Sequence, residues 1–208
     1  MSNLSYLCAS DFNRIYPSFE NPEFKPEQHT VACCVEGVPL LWIAMFRPDD
    51  LREAQFQVTR DGGEVDTLRA WAPLAPRQKA LDQLKAAVPL LNRLFADWGA
   101  LDQHAQFLEE TVDDAKGDLL TIELEEIEVL HREGDFRRRF ENALRYLVSP
   151  TNDDPEVRKD FVEVACLERE GGFPAADTLV EDADLDEEQE WNLSHLLGES
   201  HMRPVTWD

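Results

Sequence analysis

Forty-three carboxylates, five histidines and four cysteines are the side chains of this 208-residue chain best able to ligate, transfer protons or attack. His29, His104, His131, His195 and His201 are isolated in sequence, and no His-x-x-x-His or Cys-x-x-Cys spacing sets up two zinc ligands. Each histidine reads as a surface or capping residue. Cys8, Cys33, Cys34 and Cys166 lie among apolar residues, away from the positive charge that activates a thiol, so they read as reduced core residues. There is no Gly-x-Ser-x-Gly elbow and no phosphate-binding glycine loop. The carboxylate-rich stretch Asp182–Glu190 lacks the glycine and spacing of a calcium loop. No catalytic residue, metal ligand or cofactor is marked, and the chain reads as a non-enzyme.

The distribution of charge carries more information. Residues 1–100 hold 13 acids and 10 bases, whereas residues 101–134 hold 11 acids and 2 bases, and residues 181–208 hold 9 acids and 1 base. Two short segments therefore carry 17 of the 23 net negative charges. Solubility needs less asymmetry than this, because a mixed surface repels itself less. The excess points to an electropositive protein partner, since acidic patches speed and orient association with basic proteins. The candidate partner-binding residues are Glu109, Glu110, Asp113 and Asp114, then Glu123, Glu125, Glu126 and Glu128, then Asp182, Asp184, Asp186, Glu187 and Glu188. Trp191, an aromatic among acids, reads as an interface anchor. The one basic island, Arg137-Arg138-Arg139, is expected to pair with nearby glutamates and tether the acidic 119–133 segment; a phosphate site there is the alternative.

A pI near 4.4 argues against nucleic acid and anionic membranes, both polyanions. The longest apolar run, Val38–Phe46, is too short to span a bilayer. The start Met1-Ser2-Asn3-Leu4-Ser5 does not read as a signal peptide, and with unpaired cysteines the expected compartment is the cytoplasm.

Periodicity suggests which elements position these groups. Ser5–Ala9 and Thr30–Val35 read as strands, and Pro17, Pro22 and Pro26 make residues 13–28 a loop. Val38–Phe46 fits either a buried strand or a short helix opened by Pro39. Asp49 and Asp50 are placed to cap a short helix after Pro48. Gln55–Thr59 and Glu64–Leu68 flank the hairpin signal Asp61-Gly62-Gly63. Leu81, Leu84, Val88, Leu91, Phe95 and Trp98 form one helical stripe, with Pro89 expected to kink or interrupt it. Leu101, Ala105, Leu108, Val112 and Ala115 form a second stripe out of phase with the first at Gly99, so two helices are expected, the second ending at Gly117. Leu119–Leu130 reads as a strand running into a helix. Phe136–Leu147 and Val157–Leu167 read as helices, 169–185 as a loop, and Asp186–Leu197 as a last helix stopped by Gly198. The expectation is one α+β domain over 1–208: a strand-containing part at 1–72, a helical part at 76–168 and an acidic tail at 169–208 with one helix.

Two segments carry a resemblance. Ser5-Tyr6-Leu7-Cys8-Ala9-Ser10-Asp11 and the run Val38-Pro39-Leu40-Leu41-Trp42-Ile43-Ala44-Met45-Phe46-Arg47-Pro48-Asp49-Asp50-Leu51 resemble a family of uncharacterised bacterial cytoplasmic proteins. Members of that family are similar to immunity proteins of polymorphic-toxin and type VI secretion systems. The segments are about a quarter of the chain and carry over no functional residue. The resemblance implies an immunity or inhibitor protein that occludes the active site of a cognate toxin (effector) domain with a basic surface. The alternatives are a metal-dependent enzyme with a carboxylate-rich site, or an adaptor or chaperone for a secreted effector.

Overall fold

Period-two alternation builds the sheet. In the computed structural model, which describes residues 3–15, 29–59, 63, 65–132, 134–150, 155–168, 172–175 and 185–199, strand β1 (Leu4–Ser10) lies between β2 (Thr30–Val35) and β5 (Leu119–Glu123) and is antiparallel to both. β3 (Leu51–Thr59) and β4 (Val65–Pro76) form a hairpin in register from Leu51 opposite Pro73 to Thr59 opposite Val65. Only Leu74–Pro76 of β4 pair with β5, giving the order β2-β1-β5-β4-β3. Leu7, Ala9, Ala32, Cys34, Leu120, Ile122 and Ala75 join the helices in one core that runs from Leu7 to Leu197. Ala72 and Leu74, on the other face, pack with Ile15 in a smaller cluster. The class is α+β. The sheet is not confined to the N-terminal 72 residues, because β5 comes from the middle of the chain and is inserted between β1 and β4.

Val38–Phe46 resolves as a helix: α1 (Leu40–Ala44) begins after Pro39, and every residue from Leu40 to Phe46 has no exposed surface. A helix apolar on all sides belongs in the middle of a core. The following 3₁₀ turn, Pro48–Asp50, is fixed by Asp50, which is 1 % exposed. Its carboxylate accepts hydrogen bonds from the Arg47 N–H (2.9 Å), Lys79 Nζ (2.5 Å) and Gln83 Nε2 (3.1 Å), so the buried charge is satisfied.

The phase slip at Gly99 separates α2 (Arg77–Leu94) from α3 (Asp102–Asp113). Asn92 donates to Asp102, Lys85 pairs with Glu109, and Arg77 donates to the Asp113 carbonyl, so the two helices run antiparallel as a hairpin. Pro89 does not interrupt α2, which continues through it to Leu94. Pro89 is exposed, where water can serve the carbonyl left without an N–H donor. The second helix ends at Asp113, before Gly117. That glycine turns the chain into β5 with φ +116°, and a Cβ on it would sit 2.6 Å from the Ser10 backbone.

The remaining helices are α4 (Glu125–Glu128), α5 (Asp135–Val148), α6 (Pro155–Ala165) and α7 (Glu187–Leu197). Asp186 caps α7 by accepting from Gln189 N at 2.9 Å, and Gly198 ends the helix with φ +81°. Trp42 Nε1 donates to the Leu197 carbonyl at 2.8 Å, which docks α7 on α1. No helix among the described residues is long and apolar enough to cross a membrane.

Candidate functional site

The acids of the 101–134 segment separate into two groups, because the segment folds as a helix, a turn, a strand and a helical turn. On α3 the apolar side chains Ala105, Leu108 and Val112 face the core. The same periodicity puts Asp102, Glu109, Glu110 and Asp113 along the side of the helix that borders α2. There they line a groove of about 480 Å³ whose floor is Leu84 and Val88 of α2 and Ala105 of α3. Its single ammonium, Lys85, pairs with Glu109 at 2.5 Å, and that bond raises the Lys85 pKa. Asp102 accepts from Asn92 at 2.7 Å, and Glu110 from Gln106 at 3.1 Å. Four carboxylates therefore border the groove against one amine. Asp114, the next residue, is exposed at the C-cap of α3.

The acids of β5 and α4 are used differently. Glu123 ends β5 and is only 8 % exposed. Burial pushes its carboxyl up to about 7, with Glu125 and Glu126 adding to the rise and the Glu125 N–H, which donates to it at 2.8 Å, opposing it. Glu126 accepts from the Leu4 N–H at 2.9 Å, tying α4 to the start of β1. Glu128 accepts from Trp71 Nε1 at 2.9 Å, tying α4 to β4. Glu126 and Glu128 thus hold α4 to the sheet, with Glu126 exposed and Glu125 and Glu128 half-buried. Glu123 lies too deep to present its carboxylate to another protein.

In the third candidate segment, Asp182 and Asp184 lie outside the described residues. Asp186 is committed to the α7 cap, and Glu187 and Glu188 are exposed in the first turn of that helix, where its dipole favours negative charge. Trp191 is half-buried. Its Nε1 donates to the Cys166 carbonyl at 2.8 Å, and its ring stacks on His195 with centroids 4.2 Å apart. The arginine island pairs with glutamates, as expected, and with aspartates. Arg137 pairs with Glu53 and Glu141, Arg138 with Asp135, and Arg139 with Asp135, Asp160 and Glu163. The island thus joins α5 to β3 and α6, not, in any ion pair above, to a described glutamate of the 119–133 segment, and has carboxylates where a phosphate would bind.

Two histidines are also not where they were expected. His104 and His195 are each 1 % exposed, and burial lowers both pKa values. His195 Nε2 lies 2.9 Å from the Val35 carbonyl and Nδ1 2.8 Å from that of Trp191, linking α7 to the end of β2. Neither ring nitrogen of His104 makes a hydrogen bond of good geometry among the described residues, although the carbonyls of Ala100 and Pro174 lie close enough to oppose the effect of burial. None of the four cysteines forms a disulfide; burial raises Cys33 and Cys34 and brings Cys166 to about 11, so these three thiols are protonated and poorly nucleophilic at neutral pH. Among the described residues no three His, Cys, Asp or Glu side chains converge as a metal-binding group.

Among the described residues, the groove between α2 and α3 is thus a place where candidate acids and space coincide. Sequence reasoning found Glu109, Glu110 and Asp113 but missed Asp102, Lys85 and the floor residues. A short connection after the phase slip could have signalled a helical hairpin, and with it the groove. Comparison with known protein families, with curated proteins and with solved structures gives no match.

Proposed function

We propose that this α+β protein is an acidic inhibitor of the immunity type, acting in the cytoplasm, which binds a cognate toxin domain with a basic surface and occludes its active site. The observation that supports this reading most directly is the α2–α3 groove, where Asp102, Glu109, Glu110 and Asp113 outnumber Lys85 around an apolar floor. Charge of one sign focused in a cleft raises the encounter rate with an opposite charge. If the toxin is a nuclease, the carboxylates would stand in for the phosphates of its substrate. The net charge of −23 gives the whole molecule the same preference.

The test is affinity capture of the tagged protein from its native cell at low and moderate salt, followed by association kinetics with the captured partner. One basic partner, an association rate that falls steeply with salt, and protection of cells expressing that partner are the expected results. Binding without protection would favour an adaptor for a secreted effector, and absence of any partner at both salt concentrations would remove the inhibitor reading.

A further inference from the structure

A second cavity lies between the end of α5 and the start of α6. It holds about 340 Å³ and is lined by Asn142, Arg145 and Tyr146 of α5 and by Glu156, Val157 and Asp160 of α6. That volume is in the range of small-molecule sites. The cavity shares no residue with the α2–α3 groove.

Tyr146 is the residue that points to a ligand. It is 4 % exposed, yet its hydroxyl makes no hydrogen bond to a described residue. A phenolic hydroxyl offers one proton and two lone pairs, and a buried one ordinarily finds a partner. The Tyr146 ring packs edge-on against Phe161, with centroids 6.2 Å apart, so the ring is fixed by the core and the hydroxyl end is left for the cavity.

The rest of the lining is short of donors. Asp160, 6 % exposed, accepts from Arg139 Nη1 at 2.9 Å on one oxygen and from Asn142 Nδ2 at 3.0 Å on the other, which leaves each oxygen with a further lone pair. Glu156 brings a second carboxylate to the rim. The guanidinium in the lining, Arg145, is exposed and already donates to Glu141 at 2.6 Å and to Asn142 Oδ1 at 3.0 Å. Val157, half-buried, supplies an apolar wall beside the Tyr146 ring.

We propose that this cavity binds a small primary alkylammonium ion, its N–H groups shared between the Tyr146 hydroxyl and the Asp160 carboxylate and its alkyl chain lying against Val157 and the Tyr146 ring. An ammonium carries three donors and no acceptor, which matches a lining of spare lone pairs. An anion of the same size would meet two carboxylates. The site does not depend on the proposed inhibitor function, and either can fail without the other.

The probe is n-butylammonium, titrated at constant ionic strength into the isotopically labelled protein, with backbone amide shifts as the readout and 1-butanol and ammonium chloride as controls. Saturable shifts centred on residues 142–149 and 156–160 are expected, with neither control binding as tightly. Tyr146→Phe removes only an oxygen that bonds nothing else described, so the thermal midpoint should hold while binding weakens roughly tenfold. E187Q/E188Q, which removes two charges from the start of α7, should leave binding unchanged. Equal affinity in Tyr146→Phe, equal affinity for ammonium chloride or butanol, or shifts spread over the other acids would overturn the site. Lysine capped as its acetyl amide is the second probe: tighter binding than butylammonium identifies a protein side chain as the source of the ammonium, and weaker binding identifies a free amine.

Discussion

The acids of α3 and those of β5–α4 lie within twenty-seven residues of one another in sequence, from Asp102 to Glu128, yet they do opposite work. Along α3 the carboxylates border an open groove, and the bonds they accept are mostly from the hairpin's own surface residues: Asn92, Lys85 and Gln106. In β5 and α4, Glu126 and Glu128 accept hydrogen bonds from Leu4 and Trp71, distant in sequence, and Glu123 is buried. Charge density alone does not separate acids that border open space from acids that fasten one element to another. The separation comes from the element each acid sits on. A helix with one face in the core exposes the others, whereas the end of a central strand buries Glu123, and the short turn after it brings Glu126 and Glu128 within reach of β1 and β4.

The contrast can be broken or sharpened by removing acids of each kind. The largest effect is expected at Glu123. Its folded pKa of about 7 lies above its ordinary value of 4.5. The fold therefore holds a proton that the unfolded chain releases in that window. Stability from this group is full below pH 4.5, falls as pH rises through 7, and then levels off, a total of at most about 3 kcal/mol. E123Q should abolish that decline, so urea denaturation at pH 5 and pH 8 should show the variant gaining on the wild type at the higher pH. An equal difference at both pH values would mean that Glu123 is not the group responsible.

Next is Glu128. E128A leaves the part-buried Trp71 N–H without its acceptor, and a loss of roughly 1–3 kcal/mol is expected in the same measurement. D186A, which removes the α7 cap, should cost about 1 kcal/mol, read as a lower thermal midpoint. Smallest is E110A on α3: as a surface change it should stay within about 0.5 kcal/mol of the wild type. A loss at E110A as large as that at E128A would erase the distinction between the two regions.

Much of this fold was legible. The phase slip between the Leu81–Trp98 and Leu101–Ala115 stripes gave two helices, and Asp186 with Gly198 bracketed the last one, because caps and periodicity are local. The strand at Leu119 was expected, but its insertion between β1 and β4 depends on pairings more than forty residues away. The continuity of α2 through Pro89 was missed because exposure decides whether a lost donor matters. The partners of Arg137 and Arg139 on β3 and α6, and the burial of His195, were not legible for a related reason. A polar or amphipathic side chain looks the same in sequence whether its partner is solvent or a residue brought in by another element. For the groove, three of its acids were named from composition, but its walls required knowing that α2 and α3 fold back on each other.

The most direct test of the docking role assigned to the α3 acids is growth rescue. The captured partner is expressed in cells together with wild-type protein, with E110K/D113K, or with D49K/E168K, with soluble level and thermal midpoint checked for each. Wild type and D49K/E168K are expected to restore growth, while E110K/D113K, equally soluble and equally stable, fails. Full protection by E110K/D113K would contradict the assignment of the α2–α3 groove as the surface that meets the toxin.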